Sequence, residues 1–249
     1  MTNISRLLII LTCLVAVYLA SPLVKAGQHF LARSTANIEE VRQRVEPGLR
    51  EDLQSAGFQL GEAAFIRIFN EENELEIWLR TSDEFKLFKT YDICNYSGAL
   101  GPKLKEGDRQ SPEGFYGVDK AAMNPNSSYH LSFNLGFPNL FDQANQRTGS
   151  FLMVHGNCVS IGCYAMTDQG IEEIYLIVEA AQETGQKMVP VHAFPFRMTR
   201  YRLALEQDNR WFEYWQNLKQ GFDLFEKERV PPVVSVSDKK YVFSSGIGI

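Results

Sequence analysis

A histidine and a cysteine stand eight positions apart in the run Val154-His155-Gly156-Asn157-Cys158-Val159-Ser160-Ile161-Gly162-Cys163. An imidazole can take the proton of a thiol, and the resulting thiolate is a strong nucleophile. Such a pair typically brings the thiol below its free pKa of about 8.5. Gly162 lets the backbone pass close to a reacting carbonyl, with no Cβ in the way. The N–H groups of Gly162 and Cys163 are candidate oxyanion donors, each worth about 3–4 kcal/mol where such donors have been removed. The candidate catalytic set is therefore Cys163 as nucleophile, His155 as general base and acid, and Gly162 as a backbone donor. Gly156 and Ser160 would set the local geometry. The same residues also suit a buried thiol and a structural histidine on a hairpin, so spacing alone leaves both readings standing.

Those side chains need a strand before them and a helix after them. Residues 151–154 form an apolar run that reads as a buried strand. Thr167 or Asp168 then caps a helix over 170–183. Its inner stripe is Ile171, Ile174, Val178 and Ala181, with Glu172, Glu173 and Glu179 outward and Gly185 at the stop. The reactive groups thus lie between a strand end and a helix start, where backbone N–H groups favour an anion.

The rest of the chain supplies the frame. Residues 65–69 and 74–79 read as a hairpin, 85–91 as a third strand, and further strands are expected near 115–118, 130–135 and 189–194. Short strands with turn signals between them predict an α+β, mostly β fold, built on an antiparallel sheet or sandwich. The organisation expected is a helical lead-in over 27–62, a core domain over 63–200 and a C-terminal helix and hairpin over 201–249. Pro47-Gly48 should break the lead-in into two short helices. Asn209 should cap the terminal helix, with Trp211, Trp215 and Leu218 on one stripe and Gly221 at its stop. That stripe suits docking onto the sheet better than sugar stacking. His130 reads as an exposed strand or loop histidine, with a second site histidine as the alternative, His192 as structural, and Asp142 and Arg147 as solvated.

At the reactive run the sequence also becomes familiar. His-Gly followed by Ser-x-Gly-Cys resembles the signature of the YkuD-type L,D-transpeptidase catalytic domain, and the fuller string HGNCVSIGCYAMT resembles its YafK-like branch. Gly107-Asp108-Arg109-Gln110-Ser111-Pro112-Glu113-Gly114-Phe115-Tyr116 resembles the family's Thr/Ser-Pro-x-Gly-x-Phe segment. Leu135-Gly136-Phe137-Pro138-Asn139 and Phe194-Pro195-Phe196-Arg197-Met198-Thr199 agree with the branch, and the likeness spans about 64–241. It implies a β-sandwich-like catalytic domain and cysteine acyl transfer on peptidoglycan stem peptides, with attack at the L-centre of meso-diaminopimelate. For the branch it implies an amidase that detaches a lipoprotein from murein at its C-terminal lysine. A transpeptidase, a carboxypeptidase and a non-catalytic wall-binding protein are the alternatives. Two positions depart from the wider family: Ile161 stands in place of a second histidine, and Ala165 in place of an arginine. Arg197 is a candidate replacement for that guanidinium, and Tyr116 is a second candidate substrate contact.

Composition bounds the partners. The 249 residues are 45% hydrophobic and 22% charged, a globular balance, with a net charge of −5. Residues 1–26 carry Arg6, the apolar run 7–20 and the small-residue end Val24-Lys25-Ala26, which reads as a secretory signal cleaved after Ala26. Its removal takes the charge to −7, so nucleic acid is not an expected partner. The expectation is a periplasmic monomer with no stable membrane anchor and no cofactor, since no further residue completes a metal set with His155 and Cys163. Cys13 leaves with the signal. If Cys163 is the free nucleophile, Cys94 and Cys158 can pair; two buried thiols are the alternative.

Overall fold

The computed structural model describes residues 36–246, so the expected signal segment lies outside the described residues. The first element is a helix, α1 (Ile38–Ser55), capped at Asn37, whose side chain accepts the Glu39 N–H. It runs unbroken through Pro47, where the sequence predicts two helices. An internal proline costs about 3 kcal/mol. Burial of Val41, Leu49 and Leu53 on one face offsets it, at about 1.5–3 kcal/mol each. Arg42 and Arg44 add ion pairs to Glu179 and Glu172, at 2.7 and 2.6 Å.

The strands are β1 (Ala64–Phe69), β2 (Glu74–Arg80), β3 (Phe85–Asn95), β4 (Gly114–Val118), β5 (Met123–Asn124), β6 (Ser132–Asn134), β7 (Met153–His155), β8 (Tyr164–Met166) and β9 (Val189–Phe194). They form one sheet in the order β4-β9-β1-β2-β3-β8-β7-β6-β5. The sheet is mixed: β1–β9 and β7–β8 are parallel pairs in an otherwise antiparallel array. Parallel neighbours usually need a crossover of a dozen or so residues. Residues 156–163 make the β7–β8 return in fewer. Asn157, Cys158 and Gly162 accordingly take φ of +67°, +45° and +144°. The short return explains why glycine stands at 162, where a side chain would be strained.

Helix α2 (Leu140–Ala144) precedes β7, and α3 (Asp168–Glu183) packs across the sheet with Ile171, Ile174, Val178 and Ala181 inward, as the periodicity predicts. Glu172 and Glu173, expected in solvent, are buried, because α1 and β3 also cover this helix. Glu172 meets Arg44 and His130; Glu173 accepts Lys89 Nζ at 2.6 Å and the Tyr91 hydroxyl at 2.9 Å. Asp142 and Arg147 are buried too, paired at 2.9 Å. Asp142 closes a capping box with Asn139 and accepts the Tyr116 hydroxyl.

After the short α4 (Arg200–Ala204), helix α5 (Phe212–Glu228) is displaced from its expected bounds. Trp211, not Asn209, takes the N-cap position, and Gly221 lies mid-helix. A Cβ at 221 would come within 2.5 Å of Phe243 and 2.6 Å of Phe115, so this glycine permits close packing. Trp215 and Leu218 are fully buried in an aromatic cluster with Phe69, Phe115, Phe194 and Phe196. The stripe is therefore a docking face. The hairpin β10 (Val233–Ser237) and β11 (Lys240–Ser244) joins the same cluster through Tyr241.

Candidate active site

His155 ends β7 and Cys163 immediately precedes β8, and the parallel register sets Val154 against Tyr164 and His155 against Ala165. Both reactive side chains line one cleft of about 610 Å³, with Ser160, Gly162, Phe151, Tyr129, Lys103 and Arg109 among its walls. The sheet pairing thus brings the two groups to one place.

The imidazole is oriented. His155 Nδ1 lies 2.6 Å from the Gly156 carbonyl, which can only accept, so Nδ1 carries the proton and Nε2 keeps its lone pair. Tyr129 lies over the ring, centroid to centroid 4.8 Å. Burial depresses the imidazole pKa, against the pull of the Gly156 carbonyl, and keeps the ring neutral at neutral pH.

The thiol is half-buried and unbonded, and it donates to the Phe151 carbonyl at 3.5 Å. Burial pushes its pKa up; the Met153 N–H and the Lys103 charge act in the opposite direction. This corrects the sequence-based expectation of a depressed thiol. Burial outweighs the Lys103 charge, which is itself paired with Asp108 at 2.6 Å, so the thiol is held above its ordinary value.

Ser160 fixes the loop. Its hydroxyl donates to the Cys163 carbonyl at 2.6 Å and accepts the Gly162 N–H at 3.1 Å. The Gly162 N–H is thus engaged, which leaves Cys163 as the remaining donor of the expected pair. Gly156 is held by N–H bonds to Tyr129 and Leu131 carbonyls. A Cβ there would meet Asp168 Oδ1 at 2.6 Å and His130 at 2.9 Å. Asp168, at the start of α3, accepts the Asn157 N–H at 2.7 Å and so ties the histidine loop to the helix. Cys94 at the end of β3 is joined to Cys158 by a disulfide. This bond holds the left-handed Asn157–Cys158 turn just past His155.

The remaining candidates lie elsewhere. Arg197 does not line the cleft. It pairs with Glu74 and with Glu76 (2.8 Å) on β2 and covers the Phe69 ring, on the β9–β1–β2 side of the sheet. Tyr116 is buried, its hydroxyl shared between Glu113 O and Asp142, and it borders an adjoining cleft that meets the first at Phe151 and Met153. His130, expected to be exposed, is largely covered because it sits behind Gly156 against the buried Glu172 at 2.7 Å, and it does not face the thiol cleft. Ala165 is fully buried, so no side chain of that position enters the cleft. Sequence reasoning missed Tyr129 and the Lys103–Asp108 pair. The only signal for the latter was the Gly-Asp-Arg-Gln turn ahead of Ser111-Pro112.

A mixed sheet with flanking helices and a thiol and imidazole in one cleft defines the class. Comparison with known proteins gives the family. The YafK protein of Escherichia coli strain K12, assigned by name to the L,D-transpeptidases, is 45% identical over 185 residues, covering 74% of this chain and 75% of the relative. Its counterpart in Escherichia coli O157:H7 matches to the same extent. The chain belongs to the L,D-transpeptidase family. No family model matches it. Among solved structures, the helical cell shape determining protein Pgp2 of Campylobacter jejuni (K307A mutant) aligns at 18% identity and a TM-score of 0.45, covering 75% of this chain and 78% of that one. Bd1075 of Bdellovibrio bacteriovorus aligns at 16% identity and a TM-score of 0.37, covering 75% and 89%. Among the described residues no helix is long and apolar enough to cross a membrane.

Proposed function

We propose that the protein is an exported, periplasmic cysteine hydrolase of peptidoglycan that cuts the amide joining a lipoprotein's C-terminal lysine to the L-centre of meso-diaminopimelate. The observation that carries this reading is the oriented, neutral His155 in the same cleft as the free Cys163 thiol. As the Cys163 sulfur attacks the carbonyl carbon, its proton passes to His155 Nε2. The Cys163 N–H faces the developing oxyanion. The C–N bond breaks, the lysine amine leaves with the proton from His155, and a thioester remains. Water then attacks the thioester, His155 takes its proton, and carboxylate and thiol are restored.

The buried Ala165 supports a changed substrate preference, because the arginine of the wider family has no counterpart there. The names of the relatives favour a second reading, L,D-transpeptidation, in which an amine takes the place of water. The two separate by product. Sacculi carrying bound lipoprotein are incubated with the mature protein or its Cys163→Ala variant and analysed by mass spectrometry. Cys163-dependent release of lipoprotein, with free stem peptides left behind, is expected. New diaminopimelate–diaminopimelate dimers or freshly attached protein would establish the transferase instead.

A further inference from the structure

Two opposite charges line the Cys163 cleft without meeting. Arg109 and Glu106 both project from the turn that forms one wall, and neither makes an ion pair with any described residue. Glu106 accepts only the Ser150 hydroxyl, at 3.2 Å. The third charge on this wall, Lys103, is buried and paired with Asp108 at 2.6 Å.

Hydrogen bonds fix the backbone of the turn that carries the pair. The Asp108 carboxylate accepts the N–H groups of Leu104, Lys105 and Gln110 at 2.9, 3.0 and 3.1 Å, besides Lys103 Nζ. The Glu106 N–H donates to Thr148 Oγ1 at 3.2 Å, and the Thr148 N–H to the Leu104 carbonyl at 3.1 Å, which fasten the turn to the opposite segment. Arg109 itself is at φ +56°, a left-handed conformation unfavourable to any residue with a Cβ. Residues held in the left-handed region cluster at functional sites, and Arg109 is among the residues that line the cleft. Glu106 and Arg109 are both solvent-exposed, and two unpaired charges of opposite sign on one wall of a cleft are complementary to a ligand that carries both.

We infer that Arg109 and Glu106 are specificity-determining residues that bind a zwitterionic α-amino-acid centre of the substrate, carboxylate to Arg109 and ammonium to Glu106. This rests on the proposed function, because the uncross-linked D-centre of diaminopimelate is such a centre, in the same residue as the L-centre whose amide is cut. The lysine end of the released polypeptide offers a carboxylate without the ammonium, so the two sources differ in what they ask of Glu106.

Binding is measured by calorimetry on the full chain carrying Cys163→Ser, so that nothing is turned over. The ligand is a murein stem peptide whose L-centre is amide-linked to a lysyl peptide. Four forms are used: D-centre free, D-centre carboxamide, D-centre N-acetyl, and D-centre free with the lysine carboxyl amidated. Loss of either D-centre charge is expected to weaken binding about tenfold, as for a charge-assisted hydrogen bond. Amidation of the lysine should change nothing. Arg109→Gln should remove the sensitivity to the carboxamide, Glu106→Gln the sensitivity to acetylation, and Arg109→Lys should restore part of the affinity. Equal affinities of Arg109→Gln and parent for the free ligand, or equal affinities of the parent for the free and carboxamide ligands, would overturn the inference, as would a loss that follows the lysine carboxyl. Separately, D-centre-dependent binding by a protein whose Cys163 form cleaves nothing would sink the proposed function and leave this inference standing.

Discussion

Strands β7 and β8 run for 3 residues each, with the imidazole on the last residue of β7 and the thiol on the residue just before β8, whereas β1, β2 and β9 run for 6, 7 and 6 and carry none of the cleft's reactive groups. The long strands are packed on α5 by rings: Phe65, Phe69, Phe194, Phe222 and Phe225 contact one another edge-on, tilted or stacked. The short strands are held by single devices, namely the Cys94–Cys158 disulfide, the Asp168 carboxylate, the Ser160 hydroxyl and the Asp108 turn. Around the cleft, Ile161 and Phe151 remain 78% and 73% exposed. One region is over-determined by packing, so a change there acts on stability. The other is determined bond by bond, so a change there acts on geometry and hence on chemistry.

The largest effect is expected at the Cys94–Cys158 disulfide. It closes a loop of sequence separation 64, which on the chain-entropy account is worth about 4 kcal/mol. The Cys94→Ala/Cys158→Ala protein should lose stability of that order in urea unfolding and, where still folded, lose most of its turnover, because the turn beyond His155 is released. Full turnover in the folded variant would show that the turn holds without its bond. The aromatic side gives the converse. Trp215→Ala should cost about 3–5 kcal/mol, as large aromatic truncations in cores do. Its kcat, measured well below its melting temperature, should match the parent.

A smaller effect follows from Glu113, buried beneath α5, where it accepts the Gly101 N–H and the Trp215 indole N–H. Burial raises its carboxyl from 4.5 to about 7. The folded state therefore holds this proton more tightly than the unfolded state. The stability it contributes is complete below about pH 4.5 and is lost as pH rises through about 7, a change on the order of 3 kcal/mol. Urea unfolding at several pH values should show this decline in the parent and a flatter curve in Glu113→Gln. Parallel curves would place the effect in another group. The smallest expected effect is on thiol reactivity. Alkylation of Cys163 by iodoacetamide should rise with pH along a profile displaced above that of a free thiol, since burial raises its pKa.

The reactive run was legible because residue type carries it: His, Gly, Ser, Gly and Cys at fixed offsets need no tertiary information to be noticed. The inner stripe of α3 was legible for a similar reason, since one period records one buried face. Where a helix or loop is covered on a second side, that record fails. Glu172, Glu173, Asp142 and Arg147 look solvated in sequence because their partners come from distant segments. Gly221 looks like a stop because the sequence does not show Phe115 and Phe243 closing on it. Pro47 looks like a break because burial of Val41, Leu49 and Leu53 is a tertiary term. Arg197 looked available to the site because distance along the chain says nothing of the strands that separate it from Cys163. The parallel β7–β8 return was equally hidden, since alternation does not encode strand direction.

The most direct test of the central claim is to catch the acyl-enzyme. The protein is mixed with lipoprotein-linked muropeptide, quenched in acid within the first turnovers, digested and analysed by mass spectrometry. A stem-peptide thioester on Cys163 is expected in the parent, strongly diminished in His155→Ala and absent in Cys163→Ala. Release of the lipoprotein at the parental rate from Cys163→Ala, with no adduct on Cys163 at any time, would contradict it.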